Sequence, residues 1–159
     1  VETAQGEDED ERSLYSILVV DDEADTRDSL RQLLEGALEN VRVWTTPSGD
    51  KALRTLEMRR VDLMLVDYRM PRMDGLELLR EARKVAPGVD RVMMTAYADA
   101  NVAIHAINEG EVRRFFAKPV DPAQLLQTVR DLRKERVQRG QRSQVLARGM
   151  ETLRRKSRP

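Results

Sequence analysis

Two hydrophobic periods alternate along this chain. Ile17-Leu18-Val19-Val20 is an unbroken apolar run within Ser16–Asp21, the pattern of a parallel strand buried on both faces. Leu30, Leu33, Leu34, Ala37 and Leu38 then recur at i, i+3, i+4, i+7 and i+8, one face of a helix over 24–38. Val41–Thr45 alternates as a second strand, and Ser48 caps a helix to Met58 with Ala52, Leu53 and Leu56 inward. The unit repeats. Val61–Asp67 is the third strand, and Gly75–Val85 a helix with Leu76, Leu78, Leu79 and Ala82 available to the core, ended by Pro87-Gly88. Arg91–Thr95 is the fourth strand. Asp99–Asn108 is a helix with Ala100, Ala103, Ile104 and Ile107 inward and Gly110 as its stop. Val112–Ala117 is the fifth strand. Asp121-Pro122-Ala123-Gln124 then reads as N-cap, first-turn proline and capping-box glutamine of a helix carrying Leu125, Leu126, Val129 and Leu132.

Five strand–helix alternations predict an α/β, doubly wound, five-stranded parallel sheet with helices on both faces. Right-handed crossovers bring all strand C-terminal ends to one edge. Ligands of such sheets bind at that edge, where the strand order reverses.

Composition narrows the chemistry. In 159 residues there is no cysteine, so disulfides and thiolate metal sites are excluded. A single histidine, His105, excludes a multi-histidine metal centre and reads as a surface residue. No apolar run approaches a membrane span and no signal-peptide pattern opens the chain, so membrane insertion is not expected and a cytoplasmic location is. Val1 in place of Met reads as a processed or trimmed start.

The formal net charge of zero hides a polarity: residues 1–11 carry −6 and residues 130–159 carry +8. We therefore divide the chain into an acidic, disordered tail at 1–12, a globular domain at 13–131 and a basic helical extension or linker at 132–159. The basic segment offers charge to nucleic-acid phosphates, but no aromatic lies among its cations and no recognition-helix motif is present. Nucleic acid therefore ranks last for it, after a linker to an output domain and after a dimer or partner helix.

The strand ends carry the chemistry. The first strand ends in Asp21-Asp22, the third in Asp67 and the fourth in Thr95, and the fifth is followed by Lys118-Pro119. Carboxylates this close repel unless a cation is present. Mg²⁺ (or Mn²⁺), held by carboxylates, waters and a phosphoryl oxygen, resolves the conflict. Lys118 supplies a point charge, and Thr95 a hydroxyl donor, for phosphoryl oxygens. The set favours phosphoryl transfer to a carboxylate.

These pieces resemble the receiver domain of bacterial two-component response regulators. The matching segments are ILVVDDEAD at 17–25, LVDYRMPRMDGLELL at 65–79, MMTA at 93–96 and FFAKP at 115–119, and the resemblance covers residues 14–131. It implies a flavodoxin-like fold of receiver type. Asp67 would be the phosphoacceptor for a histidine kinase or histidine phosphotransfer protein. Asp22, Asp67 and the backbone carbonyl of Arg69 would ligate Mg²⁺, with Asp21 acting through a metal-bound water. Thr95 and Lys118 would hold phosphoryl oxygens, and Phe115 would be the switch aromatic that follows Thr95 inward. Arg69 and Tyr97 would tune the lifetime of the phosphoryl group. A cis Lys118-Pro119 bond is implied as well. The face of the fourth helix, fifth strand and fifth helix would meet a homodimer partner, a downstream effector or an output domain.

One departure is Phe115, where the family commonly has Tyr. Taken singly, Asp21 and Asp22 also fit helix N-terminal acids, Asp67 a turn residue and Phe115 a core residue. Asp74-Gly75 reads as turn chemistry. Two rival functions remain. One is a phosphorylation-independent adaptor. The other is a Mg²⁺-dependent aspartyl phosphatase, which would need a second acid where Arg69 stands.

Overall fold

The computed structural model describes residues 13–109 and 111–156. The acidic 1–12 segment, Gly110 and Arg158 lie outside the described residues. The elements run β1 (Tyr15–Val20), α1 (Ala24–Ala37), β2 (Val41–Thr46), α2 (Gly49–Met58), β3 (Leu63–Asp67), α3 (Gly75–Val85), β4 (Asp90–Ala96), a 3₁₀ turn (Tyr97–Asp99), α4 (Ala100–Asn108), β5 (Arg114–Lys118) and α5 (Pro122–Lys156). All pairings are parallel, in the order β2-β1-β3-β4-β5, which reverses at β1 and places the switch point between β1 and β3.

Every residue of β1 and β3 is buried, as the apolar runs predict for strands covered on both faces. Alternate residues serve opposite faces. Leu18, Val20, Met64, Val66 and Met93 join Ala52 and Leu56 of α2, Leu78, Leu79 and Ala82 of α3, and Ala103 and Ala106 of α4 in one core. The alternate set, including Ile17, Val19, Leu65, Val92 and Met94, is also fully buried, and α1 packs against β1 and β2 with Leu30 and Leu34 inward.

The caps follow the sequence. Ser48 accepts from the Lys51 N–H, Asp74 from the Glu77 N–H and Asp121 from the Gln124 N–H. Asp74-Gly75 is turn chemistry, as read, and the structure adds the cap role of Asp74. On the edge strand, Trp44 is a packing residue, partly buried with the Arg59 guanidinium 3.9 Å from its ring centroid.

Three expectations need correction. Val61 and Asp62 precede β3, because Asp62 accepts the Ser16 N–H with its carboxylate while donating its own N–H to the Ser16 carbonyl. Ala37 is exposed at the end of α1. The buried stripe of α4 is Ala103 and Ala106; Ile104 and Ile107 are 49% and 37% exposed. The small side chains let α4 lie close to the sheet and turn both isoleucines outward.

The chain divides into two units, Val1–Leu126 and Gln127–Pro159. The second is helical to Lys156, with Val129 and Leu132 buried and Val137, Val145, Leu146, Met150 and Leu153 exposed. Among the described residues, no helix is long and apolar enough to cross a membrane.

Candidate functional site

Asp21 and Asp22 follow β1, and Asp67 ends β3, on either side of the switch point. Carboxylate oxygens of these three lie within 4.8 Å of one another. Asp21 is fully buried and Asp67 is 6% exposed, whereas Asp22 is exposed. The Asp21 Oδ1 accepts the Glu23 N–H at 2.9 Å, and the Arg27 guanidinium donates to the Asp21 carbonyl at 2.7 Å.

Lys118, the last residue of β5, sends its Nζ to Asp67 Oδ1 at 2.9 Å and to Asp21 Oδ2 at 3.2 Å. The Lys118-Pro119 bond is cis, as expected. Burial pushes the Asp67 carboxyl above its ordinary value; the Lys118 hydrogen bond opposes that, and the charges of Asp21 and Asp22 add to the rise. Burial works against the Lys118 ammonium, but the Asp67 hydrogen bond and charge, with Asp21 behind them, outweigh it and hold its pKa up.

The loop after Asp67 is packed from behind. Gly75 donates its N–H to the Tyr68 carbonyl at 2.7 Å, and a Cβ at Gly75 would run into the Asp67 carbonyl oxygen and the Tyr68 backbone. Glycine is required here for close approach. The turn is finished by Arg72 at φ 69°.

Thr95 is buried in β4, one residue past the Met94 that pairs with Asp67, and its hydroxyl donates to the Ala96 carbonyl at 3.3 Å. Phe115 pairs in register with Met93, is partly buried and packs against the core. Tyr97 contributes backbone to the 3₁₀ turn; its side chain lies outside the described residues. His105 is exposed and meets Glu109 at 2.9 Å, a surface residue as read.

The arrangement thus gathers Asp21, Asp22, Asp67 and Lys118 into one pocket, with Thr95 on the strand beside it. One participant, Asp99, escaped the sequence reading, which placed it only at the start of a helix. Arg69 turns its side chain to Asp99, Nε to Oδ2 at 2.7 Å and one terminal nitrogen to Oδ1 at 2.8 Å. The Arg69 hydrogen bonds hold the Asp99 carboxyl below the usual range, and Asp99 raises the Arg69 pKa in turn. The two lie thirty residues apart in sequence, and no local pattern links them.

Three carboxylates against one ammonium leave net negative charge at the pocket. A hard divalent cation with oxygen ligands fits that donor set. The same pocket presents an ammonium for phosphoryl oxygens and a carboxylate, Asp67, whose Oδ1 is held by it.

Comparison with known proteins agrees with this geometry. The family model described as "Response regulator receiver domain" matches residues 17–130. The chain is 37% identical over 115 residues to the hydrogenase transcriptional regulatory protein HoxA of Cupriavidus necator, covering 72% of this chain and 23% of that protein. It is 38% identical over 117 residues to the transcriptional regulatory protein GlrR of Escherichia coli, covering 72% of this chain and 25% of GlrR. The chain therefore spans about a quarter of the length of these curated relatives. Among solved structures, a response regulator receiver domain protein (CheY-like) from Methanospirillum hungatei superposes with a TM-score of 0.73 at 32% identity, covering 80% of this chain and 99% of that one. An adenylate cyclase structure from Rhodopirellula baltica gives 0.78 at 29% identity, covering 84% of this chain and 98% of that one. Matched over most of its length by that model, the chain belongs to the receiver domain family of two-component response regulators.

Proposed function

We propose that Asp67 accepts a phosphoryl group from the phosphohistidine of a kinase or phosphotransfer protein. The observation that supports this best is the Asp67 carboxylate at the switch point, 2.9 Å from Lys118 Nζ and beside the carboxylates of Asp21 and Asp22. An Asp67 oxygen attacks phosphorus, the N–P bond breaks, and the imidazole nitrogen leaves with the electron pair; an acyl phosphate remains on Asp67. Lys118 holds a phosphoryl oxygen and balances its charge. Asp22, Asp67 and the Arg69 carbonyl would hold Mg²⁺ or Mn²⁺, with Asp21 acting through a water. When bound, the cation neutralises charge developing on the phosphoryl oxygens.

The acyl phosphate then offers Thr95 a better acceptor than the Ala96 carbonyl. Thr95 moves toward Asp67, and Phe115 follows into the space it leaves. The affected surface is α4, β5 and the first turn of α5, where Ile104 and Ile107 are already exposed. That face is the docking surface for a dimer partner, an effector or an attached output domain. The boundaries at 13–131 and 132–159, a linker role for the basic helix and a cytoplasmic location belong to the same reading.

Turnover of free phosphate esters is not part of it. The position where a phosphatase of this kind needs a second acid is Arg69, whose guanidinium is paired with Asp99. The deciding experiment is incubation with acetyl phosphate and Mg²⁺, read by intact mass. One added phosphoryl group is expected, absent in Asp67→Asn and after chelation of the metal. No adduct under any donor would overturn the reading in favour of the adaptor.

A further inference from the structure

Asp99 stands immediately before α4, where an aspartate usually caps the helix. In this chain the equivalent residues of α2, α3 and α5 do so, each accepting from the backbone N–H three residues on. Ser48 and Asp74 hold the extended backbone of a cap, φ −152° ψ 160° and φ −74° ψ 169°. Asp99 differs on both counts. Its backbone is at φ −102° ψ 14°, inside the 3₁₀ turn, and its side chain makes no capping bond. Its carboxylate instead grips Arg69 with two hydrogen bonds. The Asp99 side chain is 10% exposed and that of Arg69 72%, so the acid is the anchored member and the guanidinium the one with room to move.

Arg69 follows Asp67 by two residues, so their Cα atoms lie at most about 7 Å apart. Thr95 precedes Asp99 by four residues, and only the end of β4 and one turn separate them. The pair therefore ties the segment that carries the phosphoacceptor to the segment that carries Thr95.

We infer that Asp99 is a positioning residue that exchanges partners, from the Arg69 guanidinium to the N-terminus of α4, when Asp67 is phosphorylated. The inference rests on the phosphoacceptor reading. A phosphoryl group brings about two negative charges and three acceptor oxygens beside Arg69 and competes with Asp99 for the guanidinium. Released, Asp99 returns to the role its position favours and accepts the Val102 N–H, three residues on. The start of α4 is thereby fixed in a second arrangement, coupled to the movement of Thr95.

The test is hydrogen exchange at the Val102 amide of the full chain, with and without Mg²⁺ and beryllofluoride, a phosphoryl mimic whose binding is followed by fluorine NMR. In wild type, Val102 exchange is expected to slow about fivefold on binding, the size of an average cap. In Arg69→Gln it is expected to be slow already without the mimic, because Asp99 has lost its rival partner. Asp99→Asn, which caps but cannot form the ion pair, is expected to match Arg69→Gln, and Asp99→Ala to show fast exchange throughout. Bound mimic with unchanged Val102 exchange in wild type, or fast exchange in both Arg69→Gln and Asp99→Asn, would overturn the exchange of partners. A wild-type chain that binds no mimic would instead overturn the phosphoacceptor reading, and the inference with it.

Discussion

Lys118 Nζ stands between two carboxylates, 2.9 Å from Asp67 and 3.2 Å from Asp21. The two acids come from neighbouring strands at the switch point, and the lysine arrives from the end of β5 with its side chain 31% exposed. A single ammonium thus holds together charges that would otherwise repel. Replacing it by Lys118→Met keeps the stem and removes the charge. Stability at pH 7 is expected to fall by about 1 kcal/mol, a value discounted for the partial exposure of the pair. The Lys118 pKa is raised in the folded state, so its contribution is complete below about 10.5 and is lost as pH rises through the folded value. Urea unfolding of both proteins at pH 7 and pH 11 checks this: the difference at pH 7 should shrink at pH 11.

Asp67→Asn is expected to act in the opposite direction. The Asp67 carboxyl is raised above 3.8 by burial first, so the folded state binds its proton more tightly than the unfolded state does. Ionising it therefore costs stability as pH rises from 3.8 through the folded value, and the full penalty is present above that. The amide removes the penalty. The gain is on the order of 1 kcal/mol, or a few degrees in Tm at neutral pH. Melting curves from pH 7 down to pH 3.5 should show the two proteins converging. A variant less stable than wild type at pH 7 would mean that the Lys118 bond outweighs burial.

Much of this was legible in the sequence because the strands are apolar runs whose next residue is polar. Val20, Val66 and Met94 each precede a site residue by one position, so finding the strands located Asp21, Asp67 and Thr95. The caps read from the sequence were equally local: Ser48 and Asp121 act on the N–H three residues away. What failed depended on contacts that periodicity does not encode. On α4, alanines and isoleucines both score as apolar, yet only Ala103 and Ala106 fit against the sheet. Asp62 looked like part of β3 until its carboxylate was seen to take the Ser16 N–H. Asp99 reads from the sequence only as the start of a helix, and its partner Arg69 lies on the far side of α3 and β4 in sequence.

Gly75 is expected to be intolerant of even one methyl group. The methyl of Gly75→Ala would meet backbone atoms of Asp67 and Tyr68, which cannot swing aside as a side chain would. The loop must shift, at about 1–3 kcal/mol. Because that loop carries Asp67, the phosphoryl adduct from acetyl phosphate should be lost or slowed at temperatures where the variant is still folded. Circular dichroism and intact mass on the same samples separate the two effects. Full adduct formation in a folded Gly75→Ala protein would show that the loop has more freedom than its packing implies.

Asp21 and Asp22 are adjacent in sequence but stand in different surroundings, so their substitutions should separate metal binding from folding. Asp21 is fully buried, with one oxygen on the Glu23 N–H and the other on Lys118. Asp21→Asn weakens the Lys118 bridge and leaves a buried amide facing an ammonium, so a loss of about 1–3 kcal/mol is expected. Asp22 is exposed, and Asp22→Asn should leave stability within about 0.5 kcal/mol of wild type. Yet an oxygen of Asp22 lies within 4.8 Å of those of Asp21 and Asp67, and removing one of three negative charges from a cation site weakens it directly. Mg²⁺ titration by calorimetry should therefore show at least a tenfold weaker site in Asp22→Asn, about 1.4 kcal/mol of binding free energy, with an unchanged melting temperature in metal-free buffer. Equal Mg²⁺ affinity in Asp22→Asn and wild type would remove Asp22 from the ligand set.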